Sequence, residues 1–289
     1  SKQSSLNRKF NQLQTGTCLS KLGLKKLIKL GGVANLPINK DQINHVDMTN
    51  SNAYIQSHMK SLPIATSQSD KSQYEPFSIV SSDLLARFPT TSQNGNNLCI
   101  LYKDQVSHMV IPTFVRSKSQ PDVVKSLKQV LGTTVKYGYK WSELQSDSES
   151  IFNSKDVTDW LLRHFISQRF SAPYKKEQNG AIESTIGFIQ DTARTMMSQF
   201  NVPSYFWEDA LAYSCYIYNH FHIPKGLDKT PIEIVTGIKP SYHEVILFYS
   251  KGFAHLSSEE RKGKDKIYPK ATPIRFLGIP QDYKNSYNV

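Results

Sequence analysis

Three carboxylates stand out for the chemistry their type and spacing allow. Asp147 and Glu183 have 35 residues between them, and Asp83 lies upstream of both. An acid at a strand end, a second on a helix at that distance and a third from another strand can surround a divalent metal. Carboxylate oxygens are the hard donors Mg2+ prefers. Two such ions about 3.5–4 Å apart can activate an attacking oxygen and stabilise a leaving one in phosphoryl transfer. Among 24 acidic residues the spacing alone does not single these three out, so the elements that carry them matter.

Apolar runs predict strands over 77–85, 98–102 and 108–115, and Asn94-Gly95-Asn96-Asn97 marks a turn between the first two. Three such runs in succession suggest an antiparallel meander, with Asp83 in its first strand. Val123, Val124, Leu127 and Val130 share one side of a helix that Pro121 opens. A strand ending at Asp147 follows, then a helix over 154–166 capped by Ser154, then a short strand over 169–172. Ile182, Ile186, Ile189, Ala193 and Met196 form a stripe on a helix over 181–200, with Glu183 one step off it. A second, aromatic-rich helix over 203–221 would bury Phe206, Trp207, Leu211, Cys215 and Tyr218. This order predicts an α/β fold, a mixed sheet with helices packed on it. It is also the element order of the ribonuclease H-like fold, in which the first and fourth strands are neighbours, which would bring Asp83 and Asp147 together.

The flanks differ from this middle. Residues 1–65 hold nine basic residues against two acids, residues 66–243 hold eighteen against seventeen, and residues 244–289 hold eight against five. The formal charge of +11 points to a polyanion, because lysine and arginine gain affinity for nucleic acid by releasing counterions. Near the start, Leu24, Leu27, Ile28 and Leu30 recur at helical spacing with Lys21, Lys25, Lys26 and Lys29 between them, and Gly31-Gly32 stops the pattern. After Pro240 short strands are expected over 245–249, 252–255 and 274–279, and Arg261, Lys262, Lys264 and Lys266 lie in the charged stretch before the last. The divisions read from these shifts are a small helical N-terminal module over 1–65, a linker over 66–73, a core over 74–240 and a β-rich C-terminal segment over 241–289. No apolar run approaches the roughly 20 residues of a membrane span, and the first residues do not read as a signal peptide. Cys18, Cys99 and Cys215 are too scattered for a disulfide framework, and the expected compartment is the nucleus, or else the cytosol.

A set of short matches in order gives these features a family. Tyr74-Glu-Pro-Phe77, Pro173-Tyr174, Gln178-Asn-Gly-Ala-Ile-Glu183, Thr192-Ala-Arg-Thr-Met196, Phe206-Trp-Glu-Asp-Ala210, Lys229-Thr-Pro-Ile-Glu233 and Arg275-Phe-Leu-Gly278 run over nearly the whole chain. Together they resemble the integrase of Ty/copia-type LTR retrotransposons, a transposable-element family with a D,D(35)E triad on a ribonuclease H-like core. The resemblance implies a polynucleotidyl transferase of DNA integration, which trims DNA ends and joins them to a target. It implies Asp83, Asp147 and Glu183 as catalytic residues and as ligands of Mg2+ or Mn2+.

The chain also departs from that family. The family's His-His-Cys-Cys zinc module falls on Asn7, Gln12, Ser51 and Tyr54, which lack the thiolate and imidazole zinc requires, so no zinc is expected. The turns after Asp83 and Asp147 differ, and Ser184 and Gly187 stand where the family carries basic residues after its glutamate. Lys175 and Lys176 precede that helix and are candidate replacements, alongside the basic residues of the two flanks, for phosphate contacts. Two readings follow: a domesticated DNA-binding derivative with weak or no strand transfer, which the departures favour, and an active metal-dependent integrase, which the retained acids favour. A protein–protein scaffold is a third. DNA is the expected partner, with a homo-oligomer or a host protein as further ones and no membrane.

Overall fold

The computed structural model of the chain describes residues 2–17, 19–46, 74–147, 151–170, 176–257, 259, 261, 269–280 and 286–289. Five strands build the main sheet: β1 (Ile79–Arg87), β2 (Leu98–Asp104), β3 (Val110–Val115), β4 (Glu143–Ser146) and β5 (Ser167–Phe170), in the order β3-β2-β1-β4-β5. β1, β2 and β3 pair antiparallel, whereas β4 pairs parallel with both β1 and β5. This is the mixed sheet and ribonuclease H-like strand order expected from the sequence. Gly95 sits at φ +81° in the hairpin between β1 and β2, where its amide donates to Ser92 O at 2.9 Å; a side chain there would be strained.

The sheet separates two apolar layers, and strand alternation decides which residue joins which. Leu98, Ile100 and Tyr102 enter one core with Val80, Leu144 and the buried faces of helices α3 (Gln120–Lys136) and α4 (Lys155–Arg163). Cys99 and Leu101 enter the other, with Leu85 and with residues of α5 (Lys176–Gln199) and α6 (Trp207–Phe221). Because side chains alternate along a strand, Ser81 and Asp83 share the second face with Leu85.

The N-terminal helices α1 (Lys2–Thr17) and α2 (Lys21–Leu30) belong to that second layer. Phe10, Leu13, Leu24, Leu27 and Ile28 are buried in one apolar cluster with Ile189, Met196 and Phe221, and with Phe248 and Phe276 from the C-terminal part. Ser20 caps α2 by accepting from Gly23 N at 2.9 Å, and Gly31 ends it at φ +64°. Ala34 then joins the far end of the chain, donating its amide to Pro240 O at 2.8 Å and accepting from Tyr242 N at 3.1 Å. The end of the expected N-terminal module and the linker over 66–73 lie outside the described residues.

Four local expectations change. The strand expected over 169–172 is β5, two residues earlier, where Ser167 N donates to Ser142 O at 2.8 Å. The run over 245–249 is no strand; it follows a short 3-10 turn, Tyr242–Glu244, as a strap that buries Phe248. Tyr213 Oη holds it by donating to Ile246 O at 2.6 Å. Ser154 has the extended backbone of a helix cap, but its hydroxyl makes no cap hydrogen bond and is buried without a partner. The strand expected over 274–279 is β7 (Ala271–Arg275), three residues earlier, and it pairs with β6 (Lys251–His255) as a separate ribbon. A short helix, α7 (Pro231–Thr236), is capped by Thr230 with Pro231 at its first turn. None of the described helices is long and apolar enough to cross a membrane.

Candidate functional site

Register places the two aspartates. β1 and β4 run parallel with Ile79 beside Glu143, Val80 beside Leu144 and Ser81 beside Gln145. Carried forward, that register sets Asp147, the residue after β4, beside Asp83. Leu144 points into the α3/α4 core, so Glu143, Gln145 and Asp147 take the opposite face, the one Asp83 shares. Beyond this point β1 continues with β2 alone, from Leu84 to Arg87. Asp83 therefore sits where the parallel half of the sheet stops.

Helix α5 brings the third acid to the same face. Ile182, Ile189, Ala193 and Met196 are buried, and Ile186 packs partly against the same cluster. Two polar ties fix the helix over the sheet: Gln190 Nε2 donates to Leu85 O at 3.2 Å, and Lys103 Nζ donates to Thr185 Oγ1 at 2.8 Å. Lys103 is buried in β2 directly opposite Ser81, so Thr185 is held close to the strand that carries Asp83. Glu183 lies two residues before Thr185 and is exposed, as is Asp147, whereas Asp83 is half-buried.

The electrostatics of Asp83 register this convergence. Its carboxyl is raised above the ordinary range, first by burial and then by the negative charges of Asp147 and Glu183. The amide of Leu84 donates to its Oδ1 at 2.7 Å and pulls the other way. Among the described residues, no three His, Cys, Asp or Glu side chains gather closely enough to hold a metal ion. The donor set is nonetheless of the kind Mg2+ and Mn2+ take, carboxylate oxygens from separate elements. A cation among them would relieve the repulsion that raises Asp83.

The expected basic contacts separate on inspection. Lys21 is buried, its ammonium 6.0 Å from the centre of the Phe10 ring. Lys26 donates to Ile223 O and Pro224 O, both at 3.2 Å, just past the end of α6. Lys25 is half-buried and Lys29 exposed. Arg261 Nε donates to Leu256 O at 3.1 Å and Ser257 O at 3.3 Å. Lys175, Lys262, Lys264 and Lys266 lie outside the described residues, and Lys176 opens α5. Of the four zinc-module positions, Asn7 and Gln12 are on α1, half-buried and exposed respectively, while Ser51 and Tyr54 are not among the described residues.

A second arrangement went unread in the sequence. The first turn of α6 clamps the β1–β2 hairpin. Trp207 stacks on Phe88 with ring centres 4.0 Å apart, and its Nε1 donates to Thr90 O at 2.8 Å. The Glu208 carboxylate accepts from Ser92 Oγ at 2.6 Å, Asn96 Nδ2 at 3.0 Å and Asn94 Nδ2 at 3.1 Å. Asp209 accepts from Gln93 Nε2 at 3.1 Å, and burial together with the Glu208 charge pushes it up to about 6. The clamp's signal in the sequence is the Phe206-Trp-Glu-Asp-Ala210 run, with adjacent acids on an otherwise apolar helix start.

Comparison with known proteins follows this geometry. No protein-family model matches the chain. The retrovirus-related Pol polyprotein of transposon TNT 1-94 from Nicotiana tabacum is 24% identical over 200 residues, covering 69% of this chain and 15% of its own length. Those of the Arabidopsis thaliana transposons RE1 and RE2 are 23% and 24% identical over 190 and 221 residues, covering 65% and 76% of this chain. The chain thus spans about 15% of the length of these relatives. Among solved structures, the HTLV-2 integrase catalytic core domain in complex with magnesium aligns with 55% of this chain and 97% of its own, at 14% identity and a TM-score of 0.44. The catalytic core domain of BIV integrase aligns with 55% of this chain and 93% of its own, at 17% identity and a TM-score of 0.43. Over these stretches the chain is similar to a segment of the retrovirus-related Pol polyproteins of plant transposons.

Proposed function

We propose that this chain is a DNA-binding integrase-type core in which Asp83, Asp147 and Glu183 take up Mg2+ or Mn2+ for phosphoryl transfer at DNA ends. The observation that carries the reading is geometric: the parallel register of β1 and β4, carried forward, sets Asp147 beside Asp83, and α5 lays Glu183 over the same face of the sheet. The negative charges of Asp147 and Glu183 add to the burial that raises the Asp83 carboxyl, a repulsion that a cation among the three would relieve. Leu84 N holds one oxygen of Asp83 and limits how that carboxyl can turn. Asp147 and Glu183 are open to solvent and would complete the ligation from the strand end and the helix. When bound, the cation supplies Lewis-acid activation of a phosphoryl oxygen.

A second reading rests on α5 itself. Exposed Ser184 and half-buried Gly187 follow Glu183, and neither can contact a phosphate by charge. This favours a DNA-binding protein with weak or no strand transfer. A strand-transfer assay on short duplex ends, with wild type and Asp147→Asn side by side, separates the two. Product that needs Mg2+ or Mn2+ and vanishes in the variant supports the first reading, and product unaffected by the substitution rules the three acids out. Salt-dependent duplex binding without product, equal or tighter in Asp147→Asn, supports the second. Thermal unfolding with and without Mg2+ gives an independent readout: the metal should raise the transition of wild type and leave that of Asp147→Asn nearly unmoved.

A further inference from the structure

The β6–β7 ribbon presents a face that neither reading above uses. Its register sets Lys251 opposite Arg275, Phe253 opposite Pro273 and His255 opposite Ala271, and directly opposite residues of an antiparallel pair share a face. Along β6 exposure alternates strictly, with Lys251, Phe253 and His255 out and Gly252 and Ala254 half-buried. On the other face Gly252, Ala254 and Ile274 are half-buried. Phe253 is 77% exposed, unusual for an aromatic ring on so short a ribbon.

Charge makes the exposed ring informative. Two cations face each other across the strands at Lys251 and Arg275, an arrangement that weakens a strand pair, and no acid stands at any of the face's positions. Arg275 is held in place: its guanidinium lies 4.8 Å from the centre of the Tyr249 ring and its Nη1 donates to Tyr249 O at 3.1 Å. One fixed cation, one free to move on a long side chain and an exposed aromatic ring beside them match an unpaired nucleotide. The base stacks on the ring and the flanking phosphates meet the cations.

We propose that this face binds single-stranded nucleic acid, with Phe253 as the stacking platform and Lys251 and Arg275 as phosphate contacts. It goes beyond the duplex-directed reading above and shares with it only the class of partner. The test is fluorescence anisotropy of labelled 20-nucleotide oligothymidylate and of a duplex of equal length with the full chain. Phe253→Ala should weaken oligothymidylate binding about tenfold, as loss of one stacked base does, and leave duplex affinity within about twofold. Because Phe253 is exposed, the substitution spares the core. In Phe253→Trp binding should return, and its emission should be quenched by the oligonucleotide. An oligouridylate arm tells an RNA from a DNA ligand, and Phe253-dependent binding of either supports the site.

Equal oligothymidylate binding by wild type and Phe253→Ala overturns the proposal. So do a parallel loss of duplex and single-strand binding, undisturbed Phe253→Trp emission, or an abasic oligonucleotide that binds wild type as tightly as oligothymidylate. Absence of oligonucleotide binding by wild type, which would leave the face to a protein, also overturns it. Absence of duplex binding with Phe253-dependent oligothymidylate binding would sink the preceding reading and leave this one standing.

Discussion

Asp209→Asn should stabilise the protein at neutral pH and do almost nothing in acid. Glu208 collects three donors from the hairpin while Asp209 collects one, so of the two adjacent acids Asp209 bears the repulsion with least compensation. Its folded-state value of about 6 against the ordinary 3.8 means the folded protein holds this proton more tightly than the unfolded chain. The favourable contribution is therefore full below about pH 4 and is lost as pH rises from there through about 6. A shift of that size corresponds at most to about 3 kcal/mol, and partial solvent screening brings the expectation to roughly 1–2 kcal/mol. Asparagine keeps an oxygen for Gln93 Nε2 and carries no charge beside Glu208. Urea unfolding at pH 4.5 and pH 8, followed by the fluorescence of neighbouring Trp207, should show the variant about 1–2 kcal/mol more stable at pH 8 and within about 0.5 kcal/mol at pH 4.5. A gain that is the same at both pH values, or a loss at pH 8, would refute the account of this acidic pair.

Two further outcomes test the packing around the site. Trp207→Ala removes a buried ring stacked on Phe88 and the hydrogen bond to Thr90 O; it should cost about 3–5 kcal/mol in chemical denaturation and speed amide exchange in the 88–97 hairpin, and a cost under about 1 kcal/mol would deny the clamp. Lys26→Met removes the ammonium from Ile223 O and Pro224 O and one of the two positive charges that, after burial, hold His222 down at about 4. An NMR titration should find His222 higher in the variant than in wild type, whereas an unchanged value would mean that α2 does not dock on the end of α6.

Much of the fold was legible because the strands that matter have alternating or fully apolar patterns. β2 is buried along its whole length and β1 alternates between the two cores, so the meander and the side on which Asp83 lies follow from sequence. β5 was misplaced because Ser167–Phe170 is largely exposed; its pairing depends on backbone bonds to β4, which leave no apolar signature. The apolar run over 245–249 reads as a strand, yet its polar backbone is answered by the Tyr213 hydroxyl. Nor could the sequence show that Lys21 turns inward over Phe10, because a lysine between apolar helical positions reads as a solvated one. The Glu208 and Asp209 clamp was hidden for a different reason. Acids in the first turn of a helix are favoured by its dipole alone, and these acids' partners, Ser92 to Asn96, stand more than 110 residues away in the chain.

The residues that resemble the integrase family and those that depart from it meet in the β1–β2 hairpin and separate on α5. Trp207 and Glu208, within one of the matching runs, hold the β1–β2 hairpin. Arg194, within another, pairs with Asp191 at 2.7 Å on α5. The departures Ser184 and Gly187 lie instead on the exposed or half-buried surface beside Glu183. Trp207 and Glu208 steady the hairpin that follows Asp83, whereas the Arg194–Asp191 pair lies within α5 alone. The departure after Asp83 is part of that same scaffold, since Leu85 is buried and Phe88 stacks on Trp207, while Ser184 and Gly187 lie on the surface beside Glu183. A basic residue restored at Ser184 would probe that surface without disturbing the buried stripe of Ile182, Ile189 and Ala193 that keeps the helix in place.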